Sequence, residues 1–252
     1  MALPSDRGSP WRLSPQNMIN LQLRSYQKEL LDSEYIPFRD IRQNLIELSS
    51  INKLLGGHSV SVKGLKELAK KMSLTQPVTI CEIGSGGGDN LLALSKWCRH
   101  HNIDVNFIGI DIKTSCIEYA KQQCEDLDVK WINSDYLKTD LSDFKPTIIF
   151  SSLFCHHLND EQFVEMLQWS RQNSLNGFFI NDLHRHFLAY YSIKLLTTLF
   201  SKSYLVKNDA PLSMRRGFKK KELILLLEKA GIRQYTIIWK WAFRWLVLVK
   251  NE

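Results

Sequence analysis

Residues 79–90 read Thr-Ile-Cys-Glu-Ile-Gly-Ser-Gly-Gly-Gly-Asp-Asn, and no other stretch narrows the fold as far. A short apolar run closes on Glu82, a glycine loop follows, and Leu91-Leu92-Ala93-Leu94 open an apolar, helix-forming segment. A strand, a tight turn and a helix start are predicted in that order. Glycines let the main chain take φ > 0 and let a ligand lie against bare backbone. The loop then hands that ligand to a helix N-terminus, whose unpaired N–H groups point outward. The dinucleotide pattern needs glycine at the first, third and sixth positions. Gly84 and Gly86 supply the first two, but the sixth position is Asp89. A structural turn with spare glycines is the competing reading of the loop taken alone, and the downstream sequence decides between them.

From Pro77 onward the pattern alternates. Strands are predicted over 78–83, 105–112, 129–132, 147–152 and 177–182, and helices over 91–100, 115–124 and 160–174. Apolar strands alternating with helices imply a mostly parallel sheet covered on both faces. Ligands of such sheets bind at the carboxyl ends of the strands. A helix over 220–230 ends at Gly231, and two apolar, aromatic runs at 234–241 and 243–249 read as an antiparallel hairpin.

The pattern Glu82-x-Gly84-x-Gly86-x-Gly88 resembles motif I of the class I S-adenosylmethionine (SAM)-dependent methyltransferases. SAM carries no phosphate, so no phosphate-binding lysine is needed. It does carry an ammonium and a sulfonium, which suit an acidic neighbour. The resemblance implies a Rossmann-like, seven-stranded α/β sheet with helices on both faces and an antiparallel last strand. It also implies a cofactor site at Glu82, Gly84, Ser85, Gly86, Gly88 and Asn90. Asp111 ends the second strand, where it would accept hydrogen bonds from ribose hydroxyls, with Ile112 beside it; a helix N-cap is the alternative. Ser134 and Asp135 follow the third strand, where the family meets the adenine amino group. Tyr136 would pack on the purine or in the core. Ser151 and Ser152 complete the expected site at the end of the fourth strand. The resemblance covers residues 76–182 well. The segments 183–185 and 209–218 are similar to small-molecule methyltransferases of quinone and polyketide pathways.

The fourth strand runs into Ser151-Ser152-Leu153-Phe154-Cys155-His156-His157. The Asp/Asn-Pro-Pro-Tyr of amino methylases is absent. So are the acidic and amide ligands of catechol-type enzymes, and magnesium is not inferred. Four of the seven histidines, 156, 157, 184 and 186, fall at the ends of strands four and five. A zinc reading lacks a cysteine pair or ligand template, so no metal is expected. A general base is the better reading, with His184 first and His156 second. Asp182 would orient the base or meet the acceptor hydroxyl. For any single histidine, a loop or cap role competes.

The chain of 252 residues supports one sizeable α/β domain with an addition. Residues 1–17 read as a flexible arm, with Trp11 able to pin it. Residues 18–75 read as an N-terminal helical cap, with helices over 18–33, 38–55 and 62–72, either packing on the domain or closing over the cofactor. Residues 76–252 form the methyltransferase domain, with a lid-like insertion at about 187–218. Within it, 187–204 is predicted as an amphipathic helix that caps an apolar pocket or packs in the core. Five cysteines, an odd number without CxxC spacing, read as reduced thiols in a cytoplasmic protein. No secretory signal or membrane-spanning run is seen. The net charge of +7 allows contact with acidic lipid or nucleic acid. Peripheral membrane contact is retained, and nucleic acid is not expected as a partner. The expected reaction is methyl transfer from SAM to a hydroxyl oxygen of a small, lipophilic, polyketide- or quinone-like acceptor. An RNA methyltransferase, with Arg215–Lys221 tracking phosphate, and a non-catalytic SAM-binding subunit are the alternatives.

Overall fold

The structure is a computed structural model that describes residues 19–33, 35–70 and 77–251. Seven strands form one sheet: β1 (Val78–Ile83), β2 (Val105–Asp111), β3 (Val129–Asn133), β4 (Ile148–Ser152), β5 (Gly177–Leu183), β6 (Tyr235–Lys240) and β7 (Arg244–Lys250). Their spatial order is β3-β2-β1-β4-β5-β7-β6. The first five are parallel, and β7 runs antiparallel to both neighbours. The predicted hairpin is therefore present, with its last strand inserted between β5 and β6.

The alternation of side chains sorts the core into two layers. Ile80, Ile148 and Phe179 face one side with Leu91 and Leu94 of α3 (Asp89–His100) and Leu65 and Leu68 of α2 (Gly57–Ala69). Cys81, Ile149 and Phe178 face the other. There they meet Phe163 and Leu167 of α5 (Asp160–Asn173) and Leu223 and Leu227 of α8 (Lys220–Lys229). Burial of each such side chain contributes about 1.5–3 kcal/mol. Between β2 and β3 lies α4 (Thr114–Gln123). The strand order reverses between β1 and β4, which places a crevice beyond their carboxyl ends.

Above that crevice sit α1 (Phe38–Leu54), α6 (Phe187–Phe200) and α7 (Tyr204–Arg216). Pro37 sets the start of α1, and Gly56, at φ 73°, turns the chain into α2. α2 lies flat on the sheet: a Cβ at Gly64 would fall 2.5 Å from the Phe179 ring. The predicted helix over 62–72 thus starts earlier, at Gly57, and residues 71–76 lie outside the described residues. So do the arm at 1–17 and Trp11. The predicted segment 187–204 is two helices' worth of chain, with α6 ending at Phe200 and α7 starting at Tyr204.

The helix expected over 18–33 is not formed. Residues 19–29 carry no helix, and only Leu30–Asp32 make a single 3-10 turn. The physical reason is a set of side-chain struts that hold this segment as an extended strap. Asp209 accepts from the Leu30 and Leu31 N–H groups at 2.8 and 2.9 Å. Arg185, 2 % exposed, donates to the Leu21 and Gln22 carbonyls. Arg216 donates to the Gln27 carbonyl at 2.7 Å. Arg24 of the strap donates to the Arg216 and Leu158 carbonyls, both at 2.8 Å, and lies over the Phe218 ring.

Candidate active site

The crevice is a cavity of about 340 Å³. One end is the glycine loop. Gly84, Gly86 and Gly88 all take positive φ, at 69°, 50° and 77°. A Cβ at Gly86 would meet nothing closer than Leu45 Cδ2 at 3.9 Å, so bare main chain faces the open cavity there. The Asp111 carboxylate accepts from Gly86 N at 2.9 Å and from Lys113 N at 2.8 Å. It thereby clamps the loop to the start of α4 and still presents free lone pairs to the cavity it lines. Burial pushes its carboxyl up, against the pull of the Lys113 and Gly86 hydrogen bonds. Beside it, Ile112 is 71 % exposed and lines the cavity, an apolar surface suited to a flat ring.

Glu82 is 1 % exposed and its Oε2 has no hydrogen-bond partner; the Ser85 hydroxyl is likewise buried and unpartnered. Burial, then the Asp89 and Asp111 charges, push Glu82 well above the usual carboxylate range, opposed by a hydrogen bond with Asn90. A cationic ligand group would relieve that cost. Asn90 also lines the cavity and accepts from Ser61 Oγ at 2.9 Å. Ser152 lines it too, with Oγ accepting from Asn181 Nδ2.

Several predicted residues stand apart. Tyr136 is a core residue, 7 % exposed, packed perpendicular to the Phe154 and Trp169 rings. Asp135 accepts from Leu137 N, capping the short turn Tyr136–Lys138, and Ser134 Oγ donates to the Asp135 carbonyl. Ser151 is fully buried against Cys155 Sγ at 3.1 Å. Gly88 packs against Cys124 and Trp131, where a Cβ would fall 2.7 and 3.1 Å from them. None of these five lines the cavity.

The opposite end of the cavity is polar. His156 is 3 % exposed; its Nδ1 lies 2.8 Å from Asp182 Oδ1, and its backbone N–H donates to Asp182 Oδ2 at 3.2 Å. Asp182 is buried; burial raises it, but the charge and hydrogen bond of His156 outweigh that and hold it below the ordinary carboxylate range. His157 Nδ1 lies 3.2 Å from Asp32 Oδ1. The two rings pack on each other with centroids 4.4 Å apart, and the Glu29 carboxylate, 5 % exposed, spans their edges, one oxygen 3.7 Å from each Nε2. Burial raises Glu29, against the His157 charge, the Ser213 hydroxyl and Arg216. Arg216 fixes the turn that carries both histidines by donating to their carbonyls, at 3.0 and 2.8 Å.

His184 does not line the cavity. It packs against Trp245, with His186 and Phe243 also adjacent, and its Nδ1 accepts from Trp239 Nε1 at 3.2 Å. Burial, then the charges of His186, Arg185 and Lys219, lower it to about 4. Two positions apart, Asp182 and His184 would share a face if the strand ran on. β5 ends at Leu183, and His184 instead bridges Phe218, donates its N–H to the Phe243 carbonyl at 2.8 Å and packs on Trp245 of β7.

Sequence reasoning missed a second polar cluster at the α1–α2 corner. His58 Nε2 lies 2.5 Å from Asp89 Oδ2, Asn52 Nδ2 donates to the same oxygen at 3.1 Å, and Arg244 donates to Asn52 Oδ1 at 3.0 Å. Arg244 is 3 % exposed, lines the cavity and keeps its Nε unpartnered; burial lowers it to about 10. An arginine at the mouth of an otherwise apolar strand was the available signal. Glu29 had none, because the strap's path depends on struts far away in sequence; His157 was marked only by its place at a strand end.

The comparisons agree with this architecture. Residues 80–173 match the family model described as a methyltransferase domain. Residues 80–173 are a methyltransferase domain, set in a fold shared with SAM-dependent methyltransferases. Among solved structures, the plantazolicin methyltransferase BpumL in complex with SAH is 16% identical, with a TM-score of 0.64 over 85% of this chain and 95% of that one. Magnesium protoporphyrin IX methyltransferase (ChlM) from Synechocystis PCC 6803 with bound SAM is 11% identical, with a TM-score of 0.52 over 80% and 82%. A putative O-methyltransferase from Nostoc punctiforme PCC 73102 is 10% identical, with a TM-score of 0.56 over 82% and 60%. No curated protein matches the chain. The BpumL and ChlM structures hold SAH and SAM, and the unpartnered Glu82, the bare Gly86 backbone and the Asp111 carboxylate of this chain fit SAM.

Proposed function

We propose that this methyltransferase acts on a hydroxyl oxygen of a small, lipophilic acceptor. The observation that carries the reading is the division of the cavity. Leu31, Leu48, Ile51, Ile193 and Met214 give it an apolar wall, and that wall closes on the pole around His156. SAM supplies an electrophilic methyl group when bound. Glu82 and the unpartnered Arg244 Nε would meet the ammonium and carboxylate of its amino-acid end, and Asp111 the ribose. Ser134, Asp135 and Tyr136 would act from the layer behind the cavity wall, shaping the turn rather than touching the base.

Asp182 holds the His156 proton on Nδ1, which leaves the Nε2 lone pair towards the pole. As the acceptor oxygen takes the methyl group, Nε2 accepts the hydroxyl proton, and Asp182 stabilises the imidazolium that forms. The products are a methyl ether and S-adenosylhomocysteine. A phenol near pKa 10 needs such help at neutral pH. His184, lowered to about 4 and outside the cavity, has little driving force for this step.

Against the RNA reading stands Arg216, which is a buried strut rather than a surface cation. Five buried, free cysteines support a reducing, cytoplasmic compartment. The test is turnover of the chain alone with SAM and a series of phenols of increasing alkyl length. Rising kcat/KM with chain length supports the reading; no turnover with any phenol would favour the non-catalytic subunit. His156→Ala should lower kcat at least about tenfold while SAM affinity holds.

One observation favours a second reading of the same pole. Ligating atoms of Glu29, His156 and His157 lie within 4.8 Å of one another, and both Nδ1 atoms are tied to carboxylates. Metal-bound histidines are oriented in that way. If chelator abolishes turnover and added Zn²⁺ or Mn²⁺ restores it, a divalent ion rather than His156 faces the acceptor oxygen.

A further inference from the structure

α6 is apolar on both sides. Its inner stripe, Ala189, Tyr190, Ile193 and Thr197, is buried, and Ile193 reaches the cavity. At 100° per residue the opposite side carries Leu188, Tyr191, Leu195 and Leu199. All four are exposed, Leu195 by 60 % and Leu199 by 64 %. An ordinary surface helix puts charge there, and a helix apolar all round is normally covered. The rim continues onto neighbouring turns. Leu54, 82 % exposed, precedes the cavity residue Leu55, and Trp241, 72 % exposed, precedes the cavity residue Ala242. Trp241 sits beside Gly56, and Ile51, Leu55 and Phe243 pack with Tyr190 and Ile193 in one cluster, so these elements share one side of the molecule.

Charge narrows what covers this face. From Phe187 to Asn208 the chain holds no acidic residue, and Lys194, Lys202 and Lys207 are all exposed. Two acidic residues of α1 reach this segment, and both are engaged there: Glu47 accepts from the Lys202 and Ser203 N–H groups, and Asp40 accepts from the Tyr204 hydroxyl at 3.4 Å. Apolar side chains with aromatic and lysine flanks, in a chain of net charge +7, match a bilayer surface carrying anionic headgroups. α6 has 14 residues, about 21 Å of helix, too short for a hydrocarbon core of roughly 30 Å. Among the described residues, no helix is long and apolar enough to cross a membrane.

We propose that the outer face of α6, with Leu54 and Trp241, docks on an anionic lipid bilayer and lies in its interface. This goes beyond the reaction and holds whatever the acceptor is. The experiment is flotation of the full chain with phosphatidylcholine vesicles, with and without phosphatidylglycerol, at low and high salt. The wild type should float with the anionic vesicles, less so at high salt, and stay behind with the neutral ones. The double variant Leu195→Glu/Leu199→Glu should lose at least about tenfold in vesicle partition. Both positions are exposed, so its melting temperature and SAM affinity should match the wild type, and those two measurements exclude misfolding as the cause. Failure of the wild type to float, or equal flotation of a folded double variant, would overturn the proposal. So would light scattering that shows a dimer for the wild type and a monomer for the variant without any flotation, because a second copy would then cover the face.

Discussion

Asp111 shows how much one side chain can hold. Its carboxylate bridges the glycine loop and the start of α4 while facing the cavity. Asp111→Ala should weaken SAM by about 2–4 kcal/mol, read by calorimetry, since hydrogen bonds to a charged acceptor are the strong kind. Unchanged affinity would remove it from the ribose role. Its place beside the glycine loop was legible in the sequence, because an acid at the end of the second strand faces the same crevice as that loop. The ribose and the start of α4 compete for it, and the carboxylate accepts from Lys113 N at the latter. Tyr136 was not legible, because an aromatic after a strand serves a purine or a core equally well, and only the placement of Phe154 and Trp169 decides. His184 carries a separate consequence. Its folded pKa, about 4, lies below the usual 6.5 of an unfolded chain. Between those values the unfolded chain binds the extra proton, so stability falls as pH drops from about 6.5 to 4. His184→Gln should flatten that part of the melting temperature against pH, an effect tempered by the ring's partial exposure to solvent. An unchanged slope would place the effect elsewhere.

At the scale of elements, the strap and the hairpin turn matter most. The strap owes its path to Asp209, Arg185 and Arg216, residues more than 150 positions away in sequence. Its own helical spacing of Leu23, Tyr26 and Leu30 was overridden by them, which is why a helix was predicted there and an extended chain is found. Asp209→Ala leaves two N–H groups unpaired and should cost about 1–3 kcal/mol. Limited proteolysis should then cut within 19–33 faster than in the wild type, while SAM binding, which uses the far end of the cavity, stays unchanged. The β6–β7 turn holds Ala242 and Phe243 at φ 59° and 55°, a region where residues with a Cβ are strained. Ala242→Gly should relieve part of that strain and raise stability by about 1 kcal/mol, read as a shifted urea midpoint. A lower midpoint would mean that the gained backbone freedom outweighs the strain.

For the molecule as a whole, the sheet order places the last strand to be synthesised between two others. β7 supplies Arg244 to the cavity, pairs along all of β5 from Gly177 to Leu183, and separates that strand from β6. During synthesis, then, β1–β5 can assemble with the glycine loop in place, yet β5 stays an open edge until residues 244–250 emerge. An unpaired edge of that length is a template for wrong partners, and its proper partner arrives after every other strand of the sheet. The strap faces the same delay, because Arg185, Asp209 and Arg216 follow it by most of the chain. The pole that holds Glu29 against His156 and His157 is therefore among the last parts of the protein to take shape. A ribosome-bound chain halted before β7 should be readily captured by a chaperone that recognises exposed strands.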